Sequence, residues 1–391
     1  MEETAVTYHF DEIIDRRNTN SLKWDVEEKE LPMWVADMDF QTAPEIREAI
    51  EKRAAHGVFG YSIIPEEWQQ AYVDWWKLRH HFTMEKDWLI FCTGVIPAIS
   101  STVRKLTTPA EKVVVMTPVY NIFFNSIYNN GRNVLENKLI YEEDGYHIDF
   151  EDLEEKLSDP QTSLLIFCNP QNPGGKIWDR ETIARVGELC DKYHVLVISD
   201  EIHCDLTDPG KEYVPYASVS EICRNQCIMC IAPTKTFNIA GMQTAAVAVP
   251  NPVIRHKVWR ALNTDEVAEP NAFAVDVAVA AFTKGGNWLD ELRSYIKENK
   301  TTVIEYVKEQ IPQLKVVPSD ATYLLWLDCR GSQAAERIRE ATGLYLSAGE
   351  QFGKGGEDFL RMNIACPRAR VVEGLERLKK GVEILCSAGK K

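Results

Sequence analysis

Ala232-Pro-Thr-Lys235-Thr-Phe-Asn-Ile-Ala-Gly241 places one lysine among small and hydroxyl residues, just after the apolar run Ile228–Ile231. Two upstream stretches are built the same way. Asn169-Pro-Gln-Asn172-Pro-Gly-Gly175 follows Leu164–Cys168, and Ser199-Asp200-Glu201-Ile202-His203 follows Val195–Ile198. Short apolar runs of this kind, bounded by turn residues and separated by helical patterns, read as buried strands of a mostly parallel sheet. In such sheets ligands bind beyond the carboxyl ends of the strands. An amine (Lys235), a carboxylate (Asp200) and an amide (Asn172) are therefore expected at one end of one sheet. Pyridoxal phosphate needs that set: a lysine for its aldehyde, an acid for its pyridine nitrogen and a donor for its phenolic oxygen.

The rest of the chain fits an α/β reading. Further apolar runs lie at Leu89–Cys92, Val113–Met116 and Thr244–Val249, and Pro44–His56 has helical character. Asp179 is expected to cap a helix carrying Ile183, Val186, Leu189 and Cys190 on one face. Beyond Gly286 a long helical pattern, Trp288–Ile311, leads to short strands near Leu314–Val317, Tyr323–Leu327 and Phe359–Ile364. A closing helix spans Ala369–Leu385. The expected organisation is an N-terminal segment over residues 1–45 packed with the small domain, a large cofactor-binding domain over 46–285, and a small α+β domain over 286–391.

Bulk properties narrow the function. The chain has 391 residues, and 44 basic against 59 acidic side chains give a net charge of −15. That balance argues against a general nucleic-acid or anionic-membrane surface. No apolar run approaches the roughly 18 residues needed to span a bilayer. The start, Met1-Glu-Glu-Thr, is acidic and has no apolar leader, so a cytoplasmic location is expected. Cys223, Cys227 and Cys230 have a spacing used to hold iron–sulfur clusters. In a strand, however, side chains three apart point to opposite faces, so no metal site is expected there.

Several other residues converge on the same cofactor. A buried Asp200 needs a partner, and a protonated pyridine nitrogen supplies one; a structural aspartate capping the next turn is the plainer reading. His203 could face the same cavity near the phenolic oxygen or serve as a structural histidine. Thr93-Gly94-Val95-Ile96-Pro97 follows a strand and opens a helix, which suits a phosphate, and Thr234 could add a hydroxyl. Tyr120 leaves the next strand at the same sheet end and could stack on the pyridine ring. Arg361, in an apolar strand of the small domain, suits a substrate α-carboxylate or a structural acid partner. Each reading alone is weak; their convergence is not.

Taken together these residues resemble the aminotransferase class I/II superfamily of pyridoxal phosphate enzymes, fold type I, from Trp34 to Arg368. The resemblance is strongest to its cystathionine β-lyase branch, of MalY/PatB type, also called C–S lyases. It rests on Leu31-Pro-Met-Trp-Val-Ala-Asp-Met-Asp-Phe40, Phe59-Gly-Tyr-Ser62, Gly94-Val95, Asp200-Glu-Ile-His203, Lys235-Thr-Phe-Asn238, Thr322-Tyr-Leu324 and Arg361-Met-Asn-Ile-Ala-Cys-Pro-Arg368. The resemblance implies a mostly parallel seven-stranded sheet in the large domain. It also implies Lys235 as the Schiff-base lysine, Asp200 as the pyridinium partner, Asn172 on the phenolic oxygen and Arg361 as the carboxylate anchor. Substrate is expected against Val35, Ala36, Asn172 and Arg361, with Trp34, Tyr61 and residues 261–271 as further wall. Tyr61 is expected to reach the phosphate in a neighbouring subunit, which makes the active unit a homodimer. Two departures stand out. Ala232 replaces the usual serine, so one phosphate hydrogen bond is expected to be either missing or supplied by Thr234. Gly174-Gly175 replaces Thr-Gly, which is expected to loosen that turn.

The implied reaction is α,β-elimination from an L-cysteine S-conjugate such as cystathionine, giving a thiol, pyruvate and ammonia. An aminotransferase would use the same lysine and aspartate, and members of this branch also act as regulatory binding partners. These remain the alternatives.

Overall fold

Aliphatic and β-branched runs dominate the centre of the chain, and each becomes a strand buried on both faces. The structure, a computed structural model, describes residues 8–329 and 334–388. Its main sheet has seven strands: β1 (Leu89–Cys92), β2 (Lys112–Thr117), β3 (Asn133–Lys138), β4 (Thr162–Cys168), β5 (Leu196–Asp200), β6 (Cys227–Ile231) and β7 (Ala245–Ala248). Their spatial order is β1-β7-β6-β5-β4-β2-β3. Only β7 runs antiparallel to its neighbours, so the remaining strands share one direction and one carboxyl end.

Alternation along the strands divides the interior into two cores. Val114, Met116, Leu165, Phe167, Val197 and Met229 face one side. Val113, Val115, Leu164, Ile166, Ile198 and Ile228 face the other. Period-two alternation with both faces apolar is the pattern of a sheet covered by helices on each side. It also places Cys227 in the first core and Cys230 in the second. Strand β3 was not among the expected runs. Its sequence, Asn-Val-Leu-Glu-Asn-Lys, is largely polar because it forms the sheet edge, paired on one side only with β2.

Helix Arg180–Lys192 starts where Asp179 accepts a hydrogen bond from the Thr182 amide at 2.7 Å. It buries Ile183, Val186 and Cys190 against the sheet. Further along, the strands Lys315–Val316, Leu324–Asp328, Phe359–Asn363 and Ser347–Ala348 form a separate four-stranded antiparallel sheet. Helices Gly286–Gln310 and Arg368–Ala388 accompany it. The N-terminal segment joins this region: Leu31–Pro32 pairs in parallel with Leu344–Tyr345, and the Asn363 amide donates to the Met33 carbonyl. Among the described residues no helix is long and apolar enough to cross a membrane.

Candidate active site

The Lys235 amine donates to the carbonyl oxygen of Ala36 at 2.5 Å. Tyr323 donates its hydroxyl to the same oxygen at 3.1 Å. That carbonyl is held in place by two asparagines. Asn363 donates from Nδ2 to the carbonyls of Val35 and Asp37, at 2.5 and 2.6 Å. Asn238 accepts from the Met38 amide at 2.9 Å and donates to the carbonyls of Met38 and Phe40. It adopts a left-handed conformation (φ 55°), which asparagine tolerates better than most residues. Behind the loop, Asp39 is buried among Lys23, Trp24 and Arg16, which donate at 3.0, 2.8 and 2.8 Å. The turn from Val35 to Asp37 is thereby fixed against the lysine. Burial, opposed by Asp37 and Asp200 and aided by Arg361, brings the Lys235 ammonium down to about 8.

Asp200 ends β5 and is still inside the ladder, in register with Cys168 and Cys230. Its side chain accepts one backbone hydrogen bond, from Ile202 at 3.1 Å. Burial raises its carboxyl to about 7, because neither that bond nor Lys235 repays the desolvation. His203 lies nearby, fully enclosed, with Nδ1 lacking any hydrogen-bond partner. Burial, with Lys235 and Arg361 adding to it, depresses this imidazole to about 3 and keeps it neutral.

Arg361 is buried in the strand Phe359–Asn363 and reaches across to the large sheet. It donates to the Asn172 side-chain oxygen at 3.1 Å and to the Trp34 carbonyl at 3.0 Å. Its guanidinium stands over the Phe352 ring at 4.9 Å, and its Nε has no partner. No carboxylate pairs with it among these contacts, so the structural acid partner weighed above is not what holds it. Burial lowers it to about 10. Because Arg361 occupies the oxygen of the Asn172 amide, the Nδ2 group is left as the donor.

The Asn172 turn is tied down, contrary to the looseness expected of Gly174-Gly175. Gln171 accepts from the Gly174 amide at 2.7 Å, and the amides of Asp320 and Ala321 both donate to the Gly175 carbonyl at 3.0 Å. A Cβ on Gly174 would fall 2.8 Å from the Gln171 side-chain oxygen and 2.9 Å from Tyr146. Glycine is what this close packing admits.

At the sheet's carboxyl end, Gly94 is extended and Val95 opens the helix Val95–Leu106, whose first turn contains no acid. Free amides and the helix dipole favour an anion there. Thr234 is buried in the Lys235 loop, and half-buried Tyr120 follows β2 within electrostatic reach of both Asp200 and Arg361. Val35 and Ala36 flank the Lys235 contact, and Trp34 stacks on Tyr345 at 4.7 Å. From residues 261–271, the Val267 carbonyl receives the Thr93 amide. Tyr61 is not brought to this site by its own chain; it is fully exposed.

A family model described as aminotransferase class I and II matches residues 29–378. The chain belongs to that family. Among its curated relatives, cystathionine beta-lyase PatB of Bacillus subtilis is 40% identical in an alignment of 382 residues that covers 95% of this chain and 99% of PatB. Cystalysin from Treponema denticola, solved with a pyridoxal 5′-phosphate cofactor, superposes with a TM-score of 0.93 at 32% identity, covering 97% of this chain and 100% of cystalysin. The PLP-bound C–S lyase from Staphylococcus hominis gives 0.91 at 30% identity, covering 97% and 99%.

The residues present fit the cofactor that this family uses. A buried carboxylate with no cation at its second oxygen suits a pyridinium nitrogen, and a half-buried amine of lowered basicity suits an aldehyde. The Nδ1 of His203 is a further buried polar atom without a hydrogen-bond partner. The sequence had hinted at Tyr323, Asn238 and Asn363 only through the family segments Thr322–Leu324, Lys235–Asn238 and Arg361–Arg368. Nothing in it assigned them to the Ala36 turn.

Proposed function

We propose that this protein is a pyridoxal-phosphate-dependent carbon–sulfur β-lyase. It cleaves L-cystathionine or a related cysteine thioether, and thioether plus water gives a thiol, pyruvate and ammonia. With cystathionine the thiol is homocysteine. The observation that carries the reading is the convergence of Lys235, Asp200 and Arg361 in a chain that aligns end to end with a cystathionine β-lyase.

When bound, the cofactor supplies an electron sink for the bonds at the substrate's α and β carbons. Arg361 binds the α-carboxylate, assisted by the Asn172 amide whose orientation it fixes. Lys235, with basicity near neutrality, takes the Cα proton onto Nζ. Positioning a base of matched pKa contributes typically about 10²–10⁴-fold. Asp200, ionised, would hold the pyridine nitrogen in its protonated form. Gly94, Val95 and Thr234 would hold the phosphate, Tyr120 would lie against the ring, and neutral His203 would serve the phenolic oxygen. Val35 and Ala36 form the wall beside the substrate.

The unit of function in this reading is a homodimer. Tyr61 lies in a run whose apolar members Val58, Phe59 and Ile63 are 63%, 56% and 81% exposed in the single chain. A second copy would cover that run and receive Tyr61 at its phosphate site. The domain division at residues 45 and 285 and a cytoplasmic setting belong to the same reading. Eight of the ten cysteines are buried as free thiols, which suits a reducing compartment.

The test is a panel of cysteine thioethers with separate detection of free thiol and pyruvate. Equimolar thiol and pyruvate without an added keto acid is expected. Amino transfer that depends on a keto acid, without thiol release, would replace this reading with an aminotransferase.

A further inference from the structure

His80, Cys204 and Asp205 each bring one donor atom to a common point, and the three atoms lie within 4.8 Å of one another. Cys204 and Asp205 follow β5 by a few residues, whereas His80 caps the carboxyl end of helix Glu66–Arg79. The side chains of His80 and Asp205 are only 8% and 1% exposed, and Cys204 is buried as well. The three nevertheless line a cavity of about 270 Å³, together with His81, Glu212 and Arg293. None of the cofactor or substrate residues named above lines it.

Asp205 is set in place from three sides. Its Oδ1 is bonded to Trp75 Nε1 and to His80 Nε2, each at 2.9 Å, and its Oδ2 accepts from Thr236 Oγ1 at 3.1 Å. The histidine–carboxylate contact is a familiar structural pair and accounts for two of the three groups. It does not account for a thiol converging on the same point beside an open cavity. Burial and the neighbouring carboxylates of Asp205 and Glu201 raise that thiol well above its ordinary range. Without a cation at hand it stays protonated.

We infer that His80, Cys204 and Asp205 form a binding site for a divalent cation of the zinc class. One imidazole, one thiolate and one carboxylate are the ligand types such an ion takes, with solvent from the cavity in the fourth position. Bonds of about 2.0–2.3 Å in a tetrahedral arrangement put donor atoms roughly 3.3–3.8 Å apart, so the set closes by small side-chain shifts. The ion takes the place of the hydrogen between His80 Nε2 and Asp205 Oδ1, and that proton passes through solvent to Nδ1, so the bound ring stays neutral. The Cys204 proton leaves to solvent as the sulfur–metal bond forms. Because Asp205 also holds Thr236, occupancy bears on the residue next to Lys235. Among the described residues the other cluster of metal-ligand types, Glu142, Asp144 and His147, is mostly exposed, and it serves as the internal control.

Equilibrium dialysis of the holoenzyme against Zn²⁺ tests this site, with Co²⁺ as the spectroscopic probe. The wild type should retain one Zn²⁺ per chain, and Co²⁺ should give the intense visible bands of four-coordinate ligation. Cys204→Ser and His80→Gln should each lose affinity beyond the roughly 10–100-fold that disturbing an outer-shell partner costs. Far-UV circular dichroism establishes which variants fold. Loss of binding in the folded variants supports the site. Unchanged Zn²⁺ affinity in either folded variant, or only weak six-coordinate Co²⁺ bands in the wild type, overturns it.

Discussion

Lys235 donates to the Ala36 carbonyl across 199 residues of sequence, at 2.5 Å. The contact joins the loop after β6 to a turn that the strand Phe359–Asn363 holds through Asn363. The amine therefore has a defined resting position, set by backbone rather than by a charged side chain. Its neutral form remains accessible near physiological pH because burial brings the ammonium down to about 8.

The clamp on that turn predicts a dual effect for Asn363→Ala. Two carbonyls lose their donor inside a buried site, which costs about 1–3 kcal/mol each at most. The melting temperature should fall, and kcat/KM should fall with it because Ala36 no longer stands opposite the lysine. Unchanged kcat/KM in a destabilised variant would separate Asn363 from the site.

Asp200 gives a prediction whose sign depends on pH and on the cofactor. Its folded value of about 7 lies above the ordinary 3.8. The carboxyl thus favours the folded apoprotein fully below about pH 4, and that contribution is lost as pH rises through about 7. Asp200→Asn should raise the apoprotein's melting temperature at pH 8 and leave it near wild type at pH 4. With cofactor bound the benefit reverses, and turnover should drop by about 10²–10³-fold. A variant apoprotein that melts below the wild type at pH 8 would contradict the assignment of a carboxylate whose desolvation is not repaid.

Capture of pyridoxal phosphate by the apoprotein should report on Lys235 itself. Only the neutral amine attacks an aldehyde, and burial brings its midpoint to about 8 from 10.5. The reconstitution rate should rise with pH and level off above about 8. Stopped-flow absorbance checks this, and a rate still climbing toward 10.5 would show an ordinary, solvated lysine.

Much of this site was legible because its parts are local. Asp200, Asn172, Lys235 and Gly94 each follow an apolar run that can only be a buried strand, and the strand directions of a parallel sheet bring their ends together. What stayed hidden depends on distance. The acceptor for Lys235 is a backbone carbonyl, which carries no residue signature. Asn238 and Asn363 act on main-chain groups 198 to 328 positions away. Strand β3 escaped because an edge needs no continuous apolar run, and the Gly174-Gly175 turn was misjudged because its packing partners, Tyr146 and Ala321, are remote in sequence.

Tyr61 makes the dimer testable without a structure of it. Tyr61→Phe should weaken cofactor retention, and Lys235→Ala should remove turnover. Co-refolded together, the two variants should regain activity, since each mixed dimer contains one site with both residues intact. A mixture no more active than its parents would count against a crossed contribution.

The central claim is that Lys235 carries the cofactor and serves as the base. Borohydride reduction of the holoenzyme, followed by peptide mapping, measures this most directly. The account predicts a pyridoxyl group on the peptide containing Lys235, and a Lys235→Ala protein without the long-wavelength absorbance or thiol release. A label on another lysine, or a Lys235→Ala variant that keeps both signals, would contradict it.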